Sequence, residues 1–190
     1  PSDNTDPIER LFIQWGFSQV FPSKTLCAHV TTWNKDASIK FRTDVAMMCK
    51  LGFDIKMSDL NPNEQVYCRQ AVTEYNRLKP VILEGDLYRL VSPYGSNHTS
   101  SMYVNKDKNQ AIVFAFDVYP RYGEHILPVR LQGLEANKMY QVKEINLMPG
   151  ASSSVNGNGQ TFSGEYLMNV GLDLFTGYKL NSRIIEIIAQ

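Results

Sequence analysis

The sequence predicts an α/β half followed by an all-β half. Three observations carry this expectation. Near residue 85 the apolar spacing changes, from helical stripes and short continuous runs to an alternation of period two. Two helix-start signatures, Asp6-Pro7 and Asn61-Pro62, lie before that point. After it, turn-forming residues recur between short apolar segments at the spacing of an antiparallel sandwich.

The elements follow in order. Asp6 precedes Pro7 and stands three residues before Glu9, a capping-box arrangement with Asp as the cap. Ile8, Leu11, Phe12 and Trp15 then share one helical face, and Gly16 is the expected stop. Leu26 to Val30 is a short, mostly apolar run that suits a buried parallel strand. A helix is expected from about Phe41 to Leu51, with Val45, Met48 and Leu51 on one face and Gly52 ending it. Phe53-Asp54-Ile55 is the next candidate strand. Asn61-Pro62-Asn63-Glu64 opens a long helix striped by Val66, Val72, Tyr75, Leu78 and Ile82, which Pro80 must kink or end. Helix, strand, helix, strand, helix is the tail of an α/β unit built on parallel strands.

Beyond Asp86 the candidate strands are Leu87 to Val91, Ser101 to Asn105, Gln110 to Tyr119, His125 to Leu131, Met139 to Ile145, Tyr166 to Leu172 and Arg183 to Ile188. Pro93-Tyr94-Gly95, Asn105 to Asn109, Gly133 to Asn137 and Gly177 supply turns. Ala151 to Gly164, rich in Ser, Asn and Gly, reads as a mobile loop. It is not a phosphate loop, because no Gly-Lys-Ser/Thr follows.

Composition narrows the function classes. Lys plus Arg equals Asp plus Glu at 19 each, so the basic excess of a phosphate-binding protein is missing and no nucleic-acid partner is expected. The longest apolar stretch, Ala111 to Phe116, is far short of the roughly 20 residues a membrane-spanning helix needs, and no membrane partner is expected. Pro1-Ser2-Asp3-Asn4 has neither the basic nor the apolar region of a signal peptide, which leaves the compartment open. Without an initiator Met, Pro1 reads as the first residue of a cut chain rather than as a catalytic amine. Cys27, Cys49 and Cys68 form neither a disulfide framework nor a CxxC pair, and buried reduced thiols are expected. His98 and His125 have no metal-ligand spacing. Asn97-His98-Thr99 fits the glycosylation triplet, a pattern common by chance. Tyr103, Phe114, Phe116 and Tyr119 are expected in the sandwich core rather than on a sugar-stacking platform.

The residues that carry chemistry cluster at the start. Read alone, Asp6 caps a helix and Asp3 is a polar turn residue, both where backbone N–H groups point outward. Ser2-Asp3-Asn4-Thr5-Asp6 with Arg10, however, resembles a signature of glycoside hydrolase family 36, which contains α-galactosidases. Phe21-Pro22 and Ala28-His29-Val30 resemble that family's seventh-strand segment. Arg42, Val45-Ala46-Met47 and Leu51-Gly52-Phe53-Asp54 resemble its seventh helix and eighth strand. Gly85 to Leu90 resembles its entry into the C-terminal sandwich, and Ser163 to Met168 with Gly171-Leu172 its closing strands. The likeness runs in order through nearly the whole chain and is loosest over residues 95 to 160.

The resemblance implies that residues 1–84 are the last βα units of a (β/α)8 catalytic barrel and residues 85–190 an antiparallel β-sandwich. It implies that Asp3 is the general acid/base of a retaining α-galactosidase, with Ser2, Asn4, Asp6 and His29 as cleft neighbours. Read from its place at the end of an apolar strand, His29 is first expected as a hydrogen-bonded structural imidazole, with the cleft as its second reading. Such an enzyme needs two carboxyl groups about 5–5.5 Å apart, the donor having a raised pKa. Trp33-Asn34-Lys35-Asp36 has the letters of the family's nucleophile motif in a different order and after a different strand. The nucleophile is therefore expected upstream of Pro1, together with most of a barrel that needs about 250 residues. Expected partners are α-galactoside oligosaccharides and the remainder of the parent chain. Association of copies through the open barrel edge is a further expectation. No cofactor and no metal are implied. The rival expectation is a non-catalytic β-sandwich module with a structural or weak carbohydrate-binding role.

Overall fold

The structure, a computed structural model, describes residues 5–190. Helix α1 spans Pro7–Phe17, strand β1 Cys27–Val30, α2 Ile39–Met47, β2 Lys50–Phe53 and α3 Pro62–Glu84. Then come β3 Asp86–Val91, β4 His98–Val104, β5 Gln110–Asp117, β6 Met139–Ile145, β7 Thr161–Ser163, α4 Gly164–Asn169 and β8 Asn181–Ala189. β1 and β2 form a two-stranded parallel sheet, and the other strands form a six-stranded antiparallel sheet in the order β3-β4-β5-β8-β6-β7.

Local chemistry explains the helix starts. The Asp6 carboxylate accepts from the N–H groups of Ile8 and Glu9 at 2.8 and 3.2 Å. Asn61 and Glu64 close a reciprocal capping box, each side chain on the other's backbone N–H at 3.0 Å.

The large sheet is apolar on both faces. Tyr103, Ile112, Phe114, Phe116 and Ile184 face the helices and share one core with Leu11, Val30, Phe41, Met47, Tyr67, Leu78 and Ile82. Met102, Val104, Val113, Ala115, Ile185 and Ile187 face the other way, onto Val129, Leu131, Leu134, Val155, Leu167, Leu172 and Leu174. Each fully buried Val, Leu, Ile, Phe or Met among them contributes roughly 1.5–3 kcal/mol relative to exposure.

Polar bonds cross from one half to the other. Tyr103 donates its hydroxyl to the Met48 carbonyl at 2.7 Å. Arg77 clamps both oxygens of Glu186 at 2.5 and 2.9 Å. The Asp44 carboxylate, fully buried on α2, accepts from Lys40 (2.5 Å), Tyr67 (3.2 Å), Asn146 (2.6 Å) and Ser182 (2.7 Å). Asn146 lies just beyond β6 at φ 54°.

Several expectations are corrected. The second helix ends at Met47, so Leu51 and Gly52 lie in β2; a short apolar run does not separate helix end from buried strand. Pro80 does not end α3, because Val81 and Ile82 are buried and hold the last turn to Glu84. Tyr166 to Leu172 is mostly helix α4, capped by Ser163, which accepts from the Tyr166 N–H at 3.1 Å. His125 to Leu131 keeps a single bridge, Val129 with Leu172. The layer over the outer face is therefore irregular chain and one short helix. Residues 151–164 are tied to the sheet: Gly159 N–H donates to the Val142 carbonyl, and Val142 N–H to the Gln160 carbonyl, at 2.7 and 2.9 Å. Tyr103, Phe114 and Phe116 are core, but Tyr119 is half-exposed with the Lys179 ammonium over its ring. All three cysteines are free as expected, yet Cys27 is exposed.

Candidate active site

The parallel sheet points one face outward. Ala28 and Val30 are buried against α2, while Cys27 and His29, their alternates on β1, are exposed. Cys27 pairs with Lys50 and His29 with Gly52, so this face continues onto β2. A Cβ at Gly52 would sit 2.3 Å from the His29 ring, and glycine is the residue that lets the imidazole lie flat over the neighbouring strand.

The C-terminal ends of β1 and β2 are built with more care. The Thr31 hydroxyl, just past β1 and buried, shares a hydrogen bond with the Thr5 hydroxyl at 2.9 Å. Arg42 on α2 donates to the Thr31 carbonyl at 2.5 Å. Buried Arg10 on α1 donates to the Cys27 carbonyl at 2.8 Å. Burial lowers the Arg42 pKa, although Glu64 opposes the shift. Two arginines thus brace the strand that positions His29. Thr5 lies beside this strand end, where open α/β sheets place their ligands.

Of the expected site residues, Asp6 caps α1 through its carboxylate and His29 lies exposed on the bare sheet face. Ser2, Asp3 and Asn4, and Pro1 with them, lie outside the described residues. Asp36, in the turn after β1, is exposed. Among the described residues no group of three His, Cys, Asp or Glu could hold a metal ion, and no helix is long and apolar enough to cross a membrane.

Two features escaped the sequence. Trp33 lies two residues beyond Thr31 in the same turn and is exposed. The other is buried His98 in β4, whose Nδ1 lies 2.7 Å from its cross-strand neighbour Asp117. Asp117 also accepts from the N–H and hydroxyl of Thr176, both at 2.9 Å. Glu124 approaches the other ring nitrogen at 3.6 Å and accepts from the Asn97 amide, at 3.2 Å for each oxygen. That pairing is a product of strand register, which spacing in sequence does not reveal.

Comparison with known proteins fits this layout. Residues 1–85 match the family described as melibiase, and residues 98–187 match the glycosyl hydrolase family 36 C-terminal domain. Alpha-galactosidase 2 of Hypocrea jecorina is 30% identical over 195 residues, covering 100% of this chain and 24% of its own length. Probable alpha-galactosidase C of Aspergillus oryzae is 33% identical with the same coverage. Among solved structures, the family 36 alpha-galactosidase AgaB from Geobacillus stearothermophilus superposes with a TM-score of 0.86 at 29% identity, covering 100% of this chain and 25% of that one. A variant of AgaA from the same organism, in complex with raffinose, superposes at 0.85 with 28% identity. The fold and these matches define a piece of a glycoside hydrolase. The chain belongs to glycoside hydrolase family 36 and spans about a quarter of the length of the relatives it matches.

Proposed function

We propose that this chain is the C-terminal part of a retaining α-galactosidase that removes terminal α-linked galactose from raffinose-type oligosaccharides. Residues 1–84 would be the last βα units of its (β/α)8 barrel, and residues 85–190 a C-terminal domain built on the six-stranded antiparallel sheet, which among the described residues lacks the second sheet of the expected sandwich. The observation that carries this is the bare face of β1 and β2, with Thr5 hydrogen-bonded at the strand end. Parallel strands are normally covered on both faces, and barrel strands carry catalytic groups at their C-terminal ends. A free-standing binding module gives no reason for an unfinished parallel sheet.

In this proposal Asp3 is the general acid/base. It protonates the glycosidic oxygen while a nucleophilic carboxylate elsewhere in the parent forms the glycosyl-enzyme, then takes a proton from the attacking water. Ser2, Asn4 and Asp6 flank it, and His29 faces the barrel interior. The parent's remaining chain is the partner that supplies the nucleophile, so this chain alone should not hydrolyse α-galactosides. The test is Asp3→Ala in the whole parent. Hydrolysis of raffinose should fall by roughly 10²–10⁴-fold, the usual worth of general acid assistance. Hydrolysis of α-galactosyl fluoride, whose leaving group needs no protonation, should fall far less in its first step. Equal losses on both substrates would remove Asp3 from this role.

A further inference from the structure

We propose that His98 is a pH-sensitive fastener of the outer layer. Protonated, its imidazole bridges Asp117 and Glu124 and ties the turn 121–126 to the six-stranded sheet; neutral, it lets that turn go. The ring and Asp117 are buried within this chain, and they stay buried when more chain is added.

His98 begins β4, and its side chain is 5% exposed. Nδ1 lies 2.7 Å from Oδ1 of Asp117, its partner on β5. Donors surround that carboxylate. Its Oδ2 accepts from the N–H and the hydroxyl of Thr176, and its Oδ1 also takes the Gly177 N–H at 3.3 Å. With those donors on it Asp117 acts as the acceptor, so the proton of the short contact sits on Nδ1. The other nitrogen is then in conflict. Among the described residues Nε2 has no hydrogen-bond partner, and it faces Oε2 of Glu124 at 3.6 Å. In a neutral imidazole Nε2 carries a bare lone pair, so two acceptors oppose each other. In an imidazolium it is a second N–H, aimed at a carboxylate. The Phe175 ring, its centroid 4.6 Å from that of His98, adds an aromatic face that also favours a cation. Gaining a proton thus turns a repulsion into an ion pair.

Glu124 anchors the turn on the far side of that pair. Its carboxylate accepts from the Asn97 amide and from the Arg121 N–H, and its own N–H donates to the Arg121 carbonyl. The turn leads into the segment that crosses the outer face, where Val129 bonds Leu172 and the Leu131 N–H donates to the Leu167 carbonyl. Other ionisable groups surround the pair: His125 and Arg130 line the same cavity as His98, and the charge of Arg121 acts on Glu124. β3 and the end of α4 bring uncharged Leu90, Val91, Asn169 and Val170 to that cavity. Histidine side chains gain and lose their second proton between about pH 5 and 8. The attraction to Glu124 exists only while the proton is on, so the fastener holds in mild acid and is lost as pH rises.

The test is hydrogen exchange of the whole parent protein, read on the peptide covering residues 119–126 and corrected for the intrinsic pH dependence of exchange. Protection there should fall roughly fivefold from pH 5 to pH 8, the upper range for a partly exposed ion pair. His98→Asn, whose amide can still donate to Asp117, should remove this change and hold the turn at its pH 8 level throughout. Glu124→Gln should remove it too, because the new amide can donate to a neutral Nε2. His125→Gln should leave the fivefold change in place. A change that survives in His98→Asn or Glu124→Gln, or that vanishes in His125→Gln, would overturn the assignment. So would protection that does not vary between pH 5 and 8 in the unmutated protein. None of these readouts depends on turnover, so a failed Asp3→Ala test would leave them as they are.

Discussion

β5 lies between β4 and β8 and has a packed apolar layer over each face. β1 has one strand neighbour among the described residues and one covered face. On its covered face each strand buries apolar side chains equally well, Ile112 and Phe114 in β5 and Ala28 and Val30 in β1. The difference is therefore one of partners, not of strand quality. It teaches that a short strand can be well formed locally and still belong to a sheet whose completion lies elsewhere. The helices α1 to α3 do not share that deficit, because they pack on the six-stranded sheet through a core that runs across residue 85.

The strongest way to break this picture is at the joint between the two sheets. Asp44→Ala would leave Lys40, Tyr67, Asn146 and Ser182 without their shared acceptor in a buried site. A loss of about 3–5 kcal/mol is expected, as for other buried charge networks that lose one partner. Urea unfolding followed by circular dichroism would read it. A single transition moved to lower urea supports one cooperative unit, and two separated transitions would mean that the halves stand apart. Next in size is the contrast in hydrogen exchange. The amides of β5 and β8 should be the slowest, and those of β1 and β2 faster by orders of magnitude, because strands with uncovered faces open locally. Equal protection would show that the small sheet needs no further neighbours.

A third measurement sharpens the comparison chemically. Burial pushes the Cys49 thiol up to about 12, and also raises that of Cys68. Both should resist iodoacetamide, because the thiolate is the reactive form. Exposed Cys27, on the bare face, should react in this chain alone and be protected in the whole parent. Equal labelling of Cys27 in the two would mean that the rest of the parent does not cover that face.

The smallest effect concerns the turn beyond β5. The Arg121 N–H, together with the Asn97 amide and nearby His98, holds the Glu124 carboxyl below its ordinary range. A depressed carboxyl stabilises the folded state above its unfolded pKa of about 4.3, and that stabilisation is lost as pH falls through the folded value. Protection of residues 119–126 should therefore drop below about pH 4, and Glu124→Gln should flatten the profile. A drop that persists in Glu124→Gln would assign it to another group.

Much of the fold was legible because local chemistry announces it. Asp6-Pro7 and Asn61-Pro62 mark helix starts through backbone N–H groups that need acceptors, and the continuous apolar run Ala111 to Phe116 marks a strand covered on both faces. Lys50-Leu51-Gly52 was not legible, since its strand identity comes from pairing with Cys27 to His29. Nor was the Tyr166 to Leu172 segment, where Ser163 as a cap outweighs a loose alternation of apolar residues. For the site, the Asp3 segment stood out by resemblance, whereas the bracing of the β1 end required knowing that Thr5 and Arg42 converge on Thr31 in the fold.

The four donors around Asp44 bear on how such enzymes can be recombined. They come from α2, α3, the residue after β6 and β8, which straddle the chain position where the apolar pattern changes. A chimera cut at Gly85 would inherit the carboxylate from one parent and two of its donors, Asn146 and Ser182, from another. Gene fusions between related enzymes should therefore tolerate that crossover only when both parents carry hydrogen-bond donors at those two positions.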